Sequence, residues 1–259
     1  MMTFVTSFLS NFLCGFRKGY NTQHALLNLI EKCKRVLDKK GYAGAILMDL
    51  SKAFDCLDHE LLLAKLDAYG FSKNALRFIH SYLTGRKQRV KVNGAFSEWQ
   101  ETKLGVPQGS VLGPLLFNIY INDLFYLLKD ADICNYADDT TIYVCDNHLE
   151  NIQNRLERDA LKLSGWFHEN YMKLNDDQCH LLVFVDKTND VSVTVGNSLI
   201  KESSEEKLLG VTIDKDLSFK THLDSLCKKA SQKLHALARI SKFMDTEKIV
   251  LMMNTFVMS

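Results

Sequence analysis

The sequence predicts an α+β fold, and three observations carry that prediction. Ala43 to Leu50 is a continuous apolar run broken only by Asp49, the length of a buried strand. Two more apolar, β-prone runs, Ala131 to Tyr136 and Thr140 to Cys145, flank Ala137-Asp138-Asp139 and predict a tight hairpin with both carboxylates at its tip. Around these strands the pattern turns helical, most clearly from His148 to Glu169.

Residues 1–15 (MMTFVTSFLSNFLCG) are apolar and fit either a short helix packed on the domain or the edge of something longer. Asn21-Thr22 marks a helix start. From Gln23 to Lys39 the apolar positions Ala25, Leu26, Leu29, Ile30, Cys33, Val36 and Leu37 share one face, and Gly41 ends the pattern. Lys32, Lys34, Arg35, Lys39 and Lys40 make the other face basic, which suits solvent or a nucleic-acid backbone. After the Ala43 to Leu50 strand, Leu57 to Tyr69 and Ser72 to Leu83 read as two amphipathic helices parted by Gly70. Arg86 to Gly94 alternates into a strand, Asn93-Gly94 signals a hairpin, and the partner runs from Phe96 to Leu104. Alternation places Lys87, Arg89 and Lys91 on one face of that ribbon, either solvated or facing phosphates.

Gly105-Val106-Pro107-Gln108-Gly109-Ser110 cannot be regular structure, and its glycines let backbone approach a ligand closely. A helix follows, with Pro114 in its first turn and an apolar face from Leu115 to Leu128. Beyond the long helix, Met172 to Phe184 turns into a strand whose expected partner is Val191 to Val195, and Leu208 to Ile213 reads as another short strand. From Phe219 to the end the pattern is helical. Lys228 and Lys229 sit there in the most positively charged segment, and the pattern stops at Ser259 without a cap.

Composition narrows the function classes. Net charge is +1 over 259 residues, so any nucleic-acid contact must come from local clusters. Seven scattered cysteines without a C-x-x-C pair argue against a zinc site or a disulfide scaffold and suit a reducing compartment. No uncharged run reaches membrane-span length, and the apolar start lacks a basic leader and cleavage site. These features place the chain inside the cell, in cytoplasm or nucleus, rather than among secreted or membrane proteins.

The acids carry the chemistry. Adjacent carboxylates at a turn repel one another unless a cation lies near, and a divalent ion is the usual answer. Asp49 ends a strand that is otherwise apolar, where an acid is costly without a metal or cationic partner. If that strand lies beside the hairpin, three carboxylates meet at one edge, which is what two-metal nucleotidyl transfer needs.

In order, the blocks Ala45 to Asp55 (AILMDLSKAFD), Gly105 to Leu124 (GVPQGSVLGPLLFNIYINDL), Tyr136-Ala137-Asp138-Asp139, Lys173-Leu174-Asn175 to Phe184, and Leu208-Leu209-Gly210-Val211 resemble the reverse transcriptases of non-LTR (LINE-type) retrotransposons. Phe16-Arg17-Lys18-Gly19 resembles the segment that enters the palm from the fingers. The likeness runs from about residue 15 to 245, and the ordered combination is far more specific than any single block.

The resemblance implies a polymerase palm, an antiparallel sheet with helices packed on one face, with partial fingers and a truncated helical thumb or connection. It divides the chain into a fingers remnant at 1–40, a palm at 41–215 with a finger insertion near 71–104, and the start of a thumb at 216–259. It implies RNA-directed DNA polymerase activity with two Mg²⁺ ions, or Mn²⁺. Asp49, Asp138 and Asp139 would be catalytic metal ligands, joined by the Leu50 backbone carbonyl. Phe54, Ala53, Gln108, Gly109 and Arg17 would contact the incoming nucleotide, with the Phe54 ring excluding a 2′-hydroxyl. Lys87, Arg89, Lys91, Lys228 and Lys229 would contact nucleic acid. Asp55 would be structural. The implied partners are an RNA template, a DNA primer and deoxynucleoside triphosphates, with no membrane, for a monomeric domain of a larger polyprotein.

Two features depart from the family pattern. Gln178 stands where the family usually has a lysine, a candidate proton donor to pyrophosphate, and residues 1–15 lack the basic finger residues that grip a triphosphate. These departures keep open a second reading, a weak or inactive remnant that only binds nucleic acid. Acyl transfer through Ser110 is disfavoured, because Gly109-Ser110-Val111 is not a G-x-S-x-G elbow and no motif places a histidine.

Overall fold

The computed structural model describes residues 2–184 and 191–257. They fall into two compact units, one reaching Ser203 and the other starting at Ser204.

The first unit opens with helix α1 (Met2–Thr6) and a loop that buries Leu9 and Leu13. Helix α2 (Thr22–Leu37) starts where Asn21, in extended conformation, accepts a hydrogen bond from the His24 N–H. It stops at Leu37, and Lys40 rather than Gly41 takes the left-handed position (φ 61°). Strand β1 (Tyr42–Met48) follows, then β2 (Leu50–Ser51), a single 3₁₀ turn (Ala53–Asp55), α3 (His59–Ala68) and α4 (Lys73–Leu83). Asp58 and Ser72 cap the two helices by accepting from Leu61 N and Ala75 N.

The ribbon comes next as two short antiparallel pairs. β3 (Lys87–Gln88) faces β6 (Gln100–Glu101), and β4 (Lys91–Val92) faces β5 (Ala95–Phe96) across the Asn93-Gly94 turn. The expected continuous strand is interrupted at Val90 and Ser97, where the Ser97 hydroxyl takes over as acceptor for the Val90 N–H. Helix α5 (Gly113–Ile121) is shorter than its apolar stretch and tightens into a 3₁₀ helix over Asn122–Tyr126. The acidic hairpin is β7 (Asp132–Tyr136) and β8 (Asp139–Asp146), followed by α6 (Leu149–Glu169), β9 (Lys173–Leu174) and β10 (His180–Phe184). β11 (Ser192–Val195) and β12 (Ser198–Ser203) close the unit.

Six strands make the main sheet in the order β11-β12-β10-β1-β8-β7. All pairings are antiparallel except β10 with β12. Val191 to Val195 was the expected neighbour of β10. Instead β12 takes that place, because β11 and β12 form a hairpin and only β12 reaches β10.

β1 is central and its residues Ala43 to Met48 are all buried, so both sheet faces need cover. α6 covers the face of Gly44, where an added methyl would strike Ile152. α2 covers the opposite face, where Cys134 Sγ donates to the Ala25 carbonyl. The palm-like sheet is therefore helix-covered on two sides, not one.

The second unit begins with β13 (Glu205–Leu208) and β14 (Val211–Asp214), an antiparallel pair turning at Leu209 (φ 49°) and Gly210 (φ 88°). The expected single strand from Leu208 to Ile213 is thus the core of a hairpin. Helices α7 (Lys220–Ile240) and α8 (Thr246–Met252) follow, with a π-helical turn at Met253–Val257. The last two positions of the expected terminal helix, 258–259, lie outside the described residues.

Residues before Gly15 are part of the sheet's support. Leu13 bridges to Asn135 on the β7 edge, and the Gly15 carbonyl accepts from Asn118 Nδ2 at 2.8 Å. Gly15 then passes so close to the hairpin turn that a Cβ would lie 2.2 Å from the Ala137 nitrogen. Gly15→Ala is expected to destabilise the chain by about 1–3 kcal/mol through overpacking against backbone, read as a lower urea midpoint. An unchanged midpoint would show that the segment can move away without cost.

Candidate active site

The acidic hairpin turns through two residues, Ala137 in the left-handed region (φ 58°) and Asp138, with Tyr136 paired to Asp139. Alanine is an unusual residue at positive φ, and the turn is held from inside. Asn135, fully buried, donates Nδ2 to the Ala137 carbonyl at 2.9 Å, to Thr140 Oγ1 at 3.1 Å and to the Asp139 carbonyl at 3.2 Å. Met48 pairs with Thr140, so the next position along β1 places Asp49 beside Asp139.

The three acids meet at one sheet edge. Partial burial pushes the Asp139 carboxyl above the ordinary carboxylate range, and the charges of Asp138 and Asp49 push it the same way. Among the described residues, none of the three forms an ion pair.

Asp49 is fixed from β9. The Asn175 N–H donates to the Asp49 carbonyl at 2.9 Å and Asn175 Nδ2 to Asp49 Oδ2 at 3.2 Å. Asn175 Nδ2 also donates to Gln178 Oε1, so Gln178 joins Asp49 through one intervening amide. Leu50, next in the chain, is buried and pairs with Leu174. Neither Asn135 nor Asn175 stood out as a site residue in the sequence, although Asn175 falls within the block Lys173-Leu174-Asn175 to Phe184.

The turn after β2 presents Phe54. Lys52 adopts the left-handed conformation (φ 51°), Ala53 is buried, and the Phe54 ring stacks on Phe117 at 4.3 Å with Phe16 edge-on at 5.9 Å. The Gly105–Gly109 loop is tied to this turn. The Gly105 N–H donates to the Leu57 carbonyl at 2.7 Å and Val106 N–H to the Phe54 carbonyl at 3.0 Å. His59 Nε2 lies 2.7 Å from the Gly105 carbonyl and must be the donor, since a carbonyl only accepts. Gly105 has φ 78°, and a side chain there would strike the Asp55 and Phe54 backbone.

Gln108 Nε2 donates to Asp55 Oδ1 at 3.1 Å, which gives Asp55 a partner inside this loop cluster, and Gly109 (φ 75°) is exposed. Ser110 Oγ accepts from the Gly113 N–H at 2.9 Å, just before α5.

The remaining candidates make contacts of their own. Arg17 directs Nη1 to the carbonyls of Ser10 and Leu13 and lies over the Tyr20 ring, bracing its own segment. Arg89 and Lys91 share one face of the ribbon over Phe96, whereas Lys87 lines a cavity at the ribbon's base. Lys228 and Lys229 are exposed on α7 in the second unit.

A mostly antiparallel sheet carrying acids on a central strand and on an adjoining hairpin defines a nucleotidyl-transfer type of architecture. The fold matches apo telomerase from Candida tropicalis truncated from its C-terminal domain, with a TM-score of 0.58 over 85% of this chain and 43% of that one, at 15% identity. The family model of reverse transcriptase (RNA-dependent DNA polymerase) matches residues 1–213. The chain belongs to the reverse transcriptase family.

Among its relatives is the RNA-directed DNA polymerase from mobile element jockey of Drosophila funebris, 31% identical over 230 residues. Another is the probable RNA-directed DNA polymerase from transposon BS of Drosophila melanogaster, 29% identical over 233 residues. Both alignments cover 86% of this chain, which spans about a quarter of the length of these curated relatives (25% and 26%).

Reverse transcriptases use divalent metal ions, and the donor set here fits a hard cation: carboxylate oxygens and no soft ligand. Among the described residues, no group of three or more His, Cys, Asp and Glu side chains is already arranged to hold an ion. A divalent cation that binds the folded acids is expected to raise the melting temperature in a saturable way. Magnesium chloride titrations followed by differential scanning fluorimetry should show this shift in the wild type and lose it in Asp138→Asn and in Asp49→Asn. Equal shifts in all three proteins would place the ion elsewhere.

Proposed function

We propose that the chain is the polymerising part of an RNA-directed DNA polymerase, adding deoxynucleotides to a primer 3′-hydroxyl on an RNA template. The observation that carries this reading is the meeting of Asp49, Asp138 and Asp139 at one sheet edge with Asp139 driven above the usual carboxylate range. In the reaction the primer hydroxyl attacks the α-phosphate of a deoxynucleoside triphosphate, a new P–O bond forms, and pyrophosphate leaves. Two Mg²⁺ ions, or Mn²⁺, supply a lowered pKa for the attacking hydroxyl and charge neutralisation for the leaving group when bound.

Asp49 and Asp138 would hold both ions, with Asp139 and the Leu50 carbonyl completing the oxygen set. Asn135 and Asn175 keep the hairpin and Asp49 in place. Phe54, backed by Phe117 and set after the small Ala53, walls the sugar position, and Gln108 and Gly109 present the loop that meets the nucleotide. We assign Arg17 to bracing the entry segment. Residues 1–40 then correspond to partial fingers, 41–215 to a palm with an insertion near 71–104, and 216–259 to the start of a thumb carrying Lys228 and Lys229. The free cysteines support work inside the cell, in cytoplasm or nucleus, and the greater length of the relatives supports a place within a larger polyprotein.

Primer extension on poly(rA)/oligo(dT) tests the activity. Wild type should extend with Mg²⁺ or Mn²⁺, and Asp138→Asn and Asp49→Asn should lose on the order of 10²-fold or more, as expected for removing a transition-state metal ligand. Near wild-type extension by both variants would end the metal assignment.

Phe54→Val tests the wall. Removing the ring should raise ribonucleotide incorporation relative to deoxynucleotide in the same assay, and unchanged discrimination would leave Phe54 as a core residue stacked on Phe117.

One feature favours a second reading, a binding remnant. Gln178 occupies the position where the family's lysine would donate a proton, and an amide has no proton to give near neutral pH. A wild-type chain that binds metal and primer–template yet does not extend would establish that reading.

A further inference from the structure

From Thr84 to Glu101 every residue is exposed, so the ribbon stands clear of its surroundings on all sides. It exposes Phe96 at 52%, Trp99 at 55%, Val90 at 64% and Val92 at 61%, which solvent alone does not favour. Its charge is equally uneven. Residues 86–104 carry five basic side chains and two acidic ones, a net +3 in a chain whose total is +1.

The apolar and basic groups are interleaved. The Arg89 guanidinium lies 3.8 Å from the Phe96 ring centroid and 4.6 Å from that of Trp99, and Lys91 Nζ lies 5.2 Å from Phe96. These contacts fix two aromatic rings and one planar cation on the same face. At the ribbon's base a cavity of about 810 Å³ is lined by Lys52, Arg86, Lys87, Lys103, Asp55 and Gln108. Phe54, the neighbour of Asp55, belongs to the turn proposed above to wall the nucleotide.

We propose that this ribbon is a stacking platform for single-stranded nucleic acid, the unpaired template on its way to the acidic edge. Unpaired bases stack on Trp99 and Phe96, while Arg86, Lys87, Arg89, Lys91 and Lys103 meet the phosphates between them. Alternating rings and cations suit a strand that alternates bases with phosphates. A protein partner would favour a face depleted of lysine, which this is not. A duplex keeps its base faces stacked inside and would meet only the cations. The proposal deepens the polymerase reading by naming the surface that holds unpaired template, and it extends phosphate contact at Lys87, Arg89 and Lys91 to contact with the bases.

The chain has two tryptophans, Trp99 and the buried Trp166, so Trp166→Phe leaves Trp99 as the sole reporter. In that background, without metal or nucleotides, a single-stranded oligo(rU) should quench Trp99 emission and a blunt duplex of equal length should not. Trp99→Ala should weaken oligo(rU) binding about tenfold with its salt dependence kept, and Trp99→Phe should restore most of the affinity. Lys87→Gln with Lys91→Gln should instead flatten the salt dependence between about 50 and 200 mM.

Equal quenching by duplex and single strand, or wild-type affinity in Trp99→Ala, overturns the proposal. So does self-association that Trp99→Ala abolishes while oligo(rU) leaves the emission unchanged, since the ribbon then pairs with a second copy. Quenching that persists in a chain unable to extend a primer would overturn the polymerase reading and leave the platform standing.

Discussion

Mutual repulsion among Asp49, Asp138 and Asp139 is the constraint the first unit has to withstand. Three carboxylates at one edge raise the free energy of the folded chain: partial burial, and after it the charges of Asp138 and Asp49, push the Asp139 carboxyl up. Among the described residues no cation pairs with them, so the surroundings must hold the backbone that bears them. β1 does so by position. It is paired on both sides along its length, to β8 and β10, and buried against helices on both faces. Moving Asp49 away from Asp139 means breaking register across the centre of the sheet, where a one-residue slip would send every buried side chain to the opposite, differently packed face.

The hairpin tip lacks that protection, because the sheet ends there. Its backbone is instead fixed by amides. Asn135 gathers the carbonyls of Ala137 and Asp139 from within the turn, and Asn175 holds both the main chain and the carboxylate of Asp49 from β9. An amide suits this work because it bonds without adding charge to an already charged place. Gly15 adds steric confinement from the far side, with its carbonyl tied to Asn118 of α5. The N-terminal segment, one helix of the core and the hairpin thereby converge on Ala137. Preorganisation of this kind lets an oxygen site keep its ligands placed despite their repulsion.

What the sequence made legible is what periodicity and turn chemistry encode. The apolar run ending in Asp49, the hairpin around Asp138 and the long helix after it are local patterns, and each appears in the structure within a few residues of its expected bounds. Contacts between distant segments have no such signature. Asn135 looks like an ordinary polar residue within a strand, Asn175 belongs to a family-like block but nothing local ties it to Asp49, and Gly15 looks like a loop glycine until the hairpin is seen pressed against it. β12 was missed because Ser198 to Ser203 alternates weakly. Leu208 to Ile213 looked continuous because Leu209, an apolar residue, occupies a turn at positive φ. The basic side chains of the ribbon were visible in sequence, but the packing of Arg89 on Phe96 and Trp99 depends on cross-strand geometry.

Near neutrality of the whole chain conceals a division of charge. With net +3 on residues 86–104, the remainder carries −2, and three of its acids share one edge. A polyanion approaching that edge alone would be repelled, so a surface that handles nucleic acid beside bare carboxylates needs cations placed elsewhere on the same unit. The ribbon supplies them on a projecting element with no buried residue, where several like charges cost little because solvent screens them. The acids sit instead where the backbone is most rigid, since their repulsion must be resisted by structure. Charge of one sign is thus put where the fold is stiff and charge of the other where it is solvated.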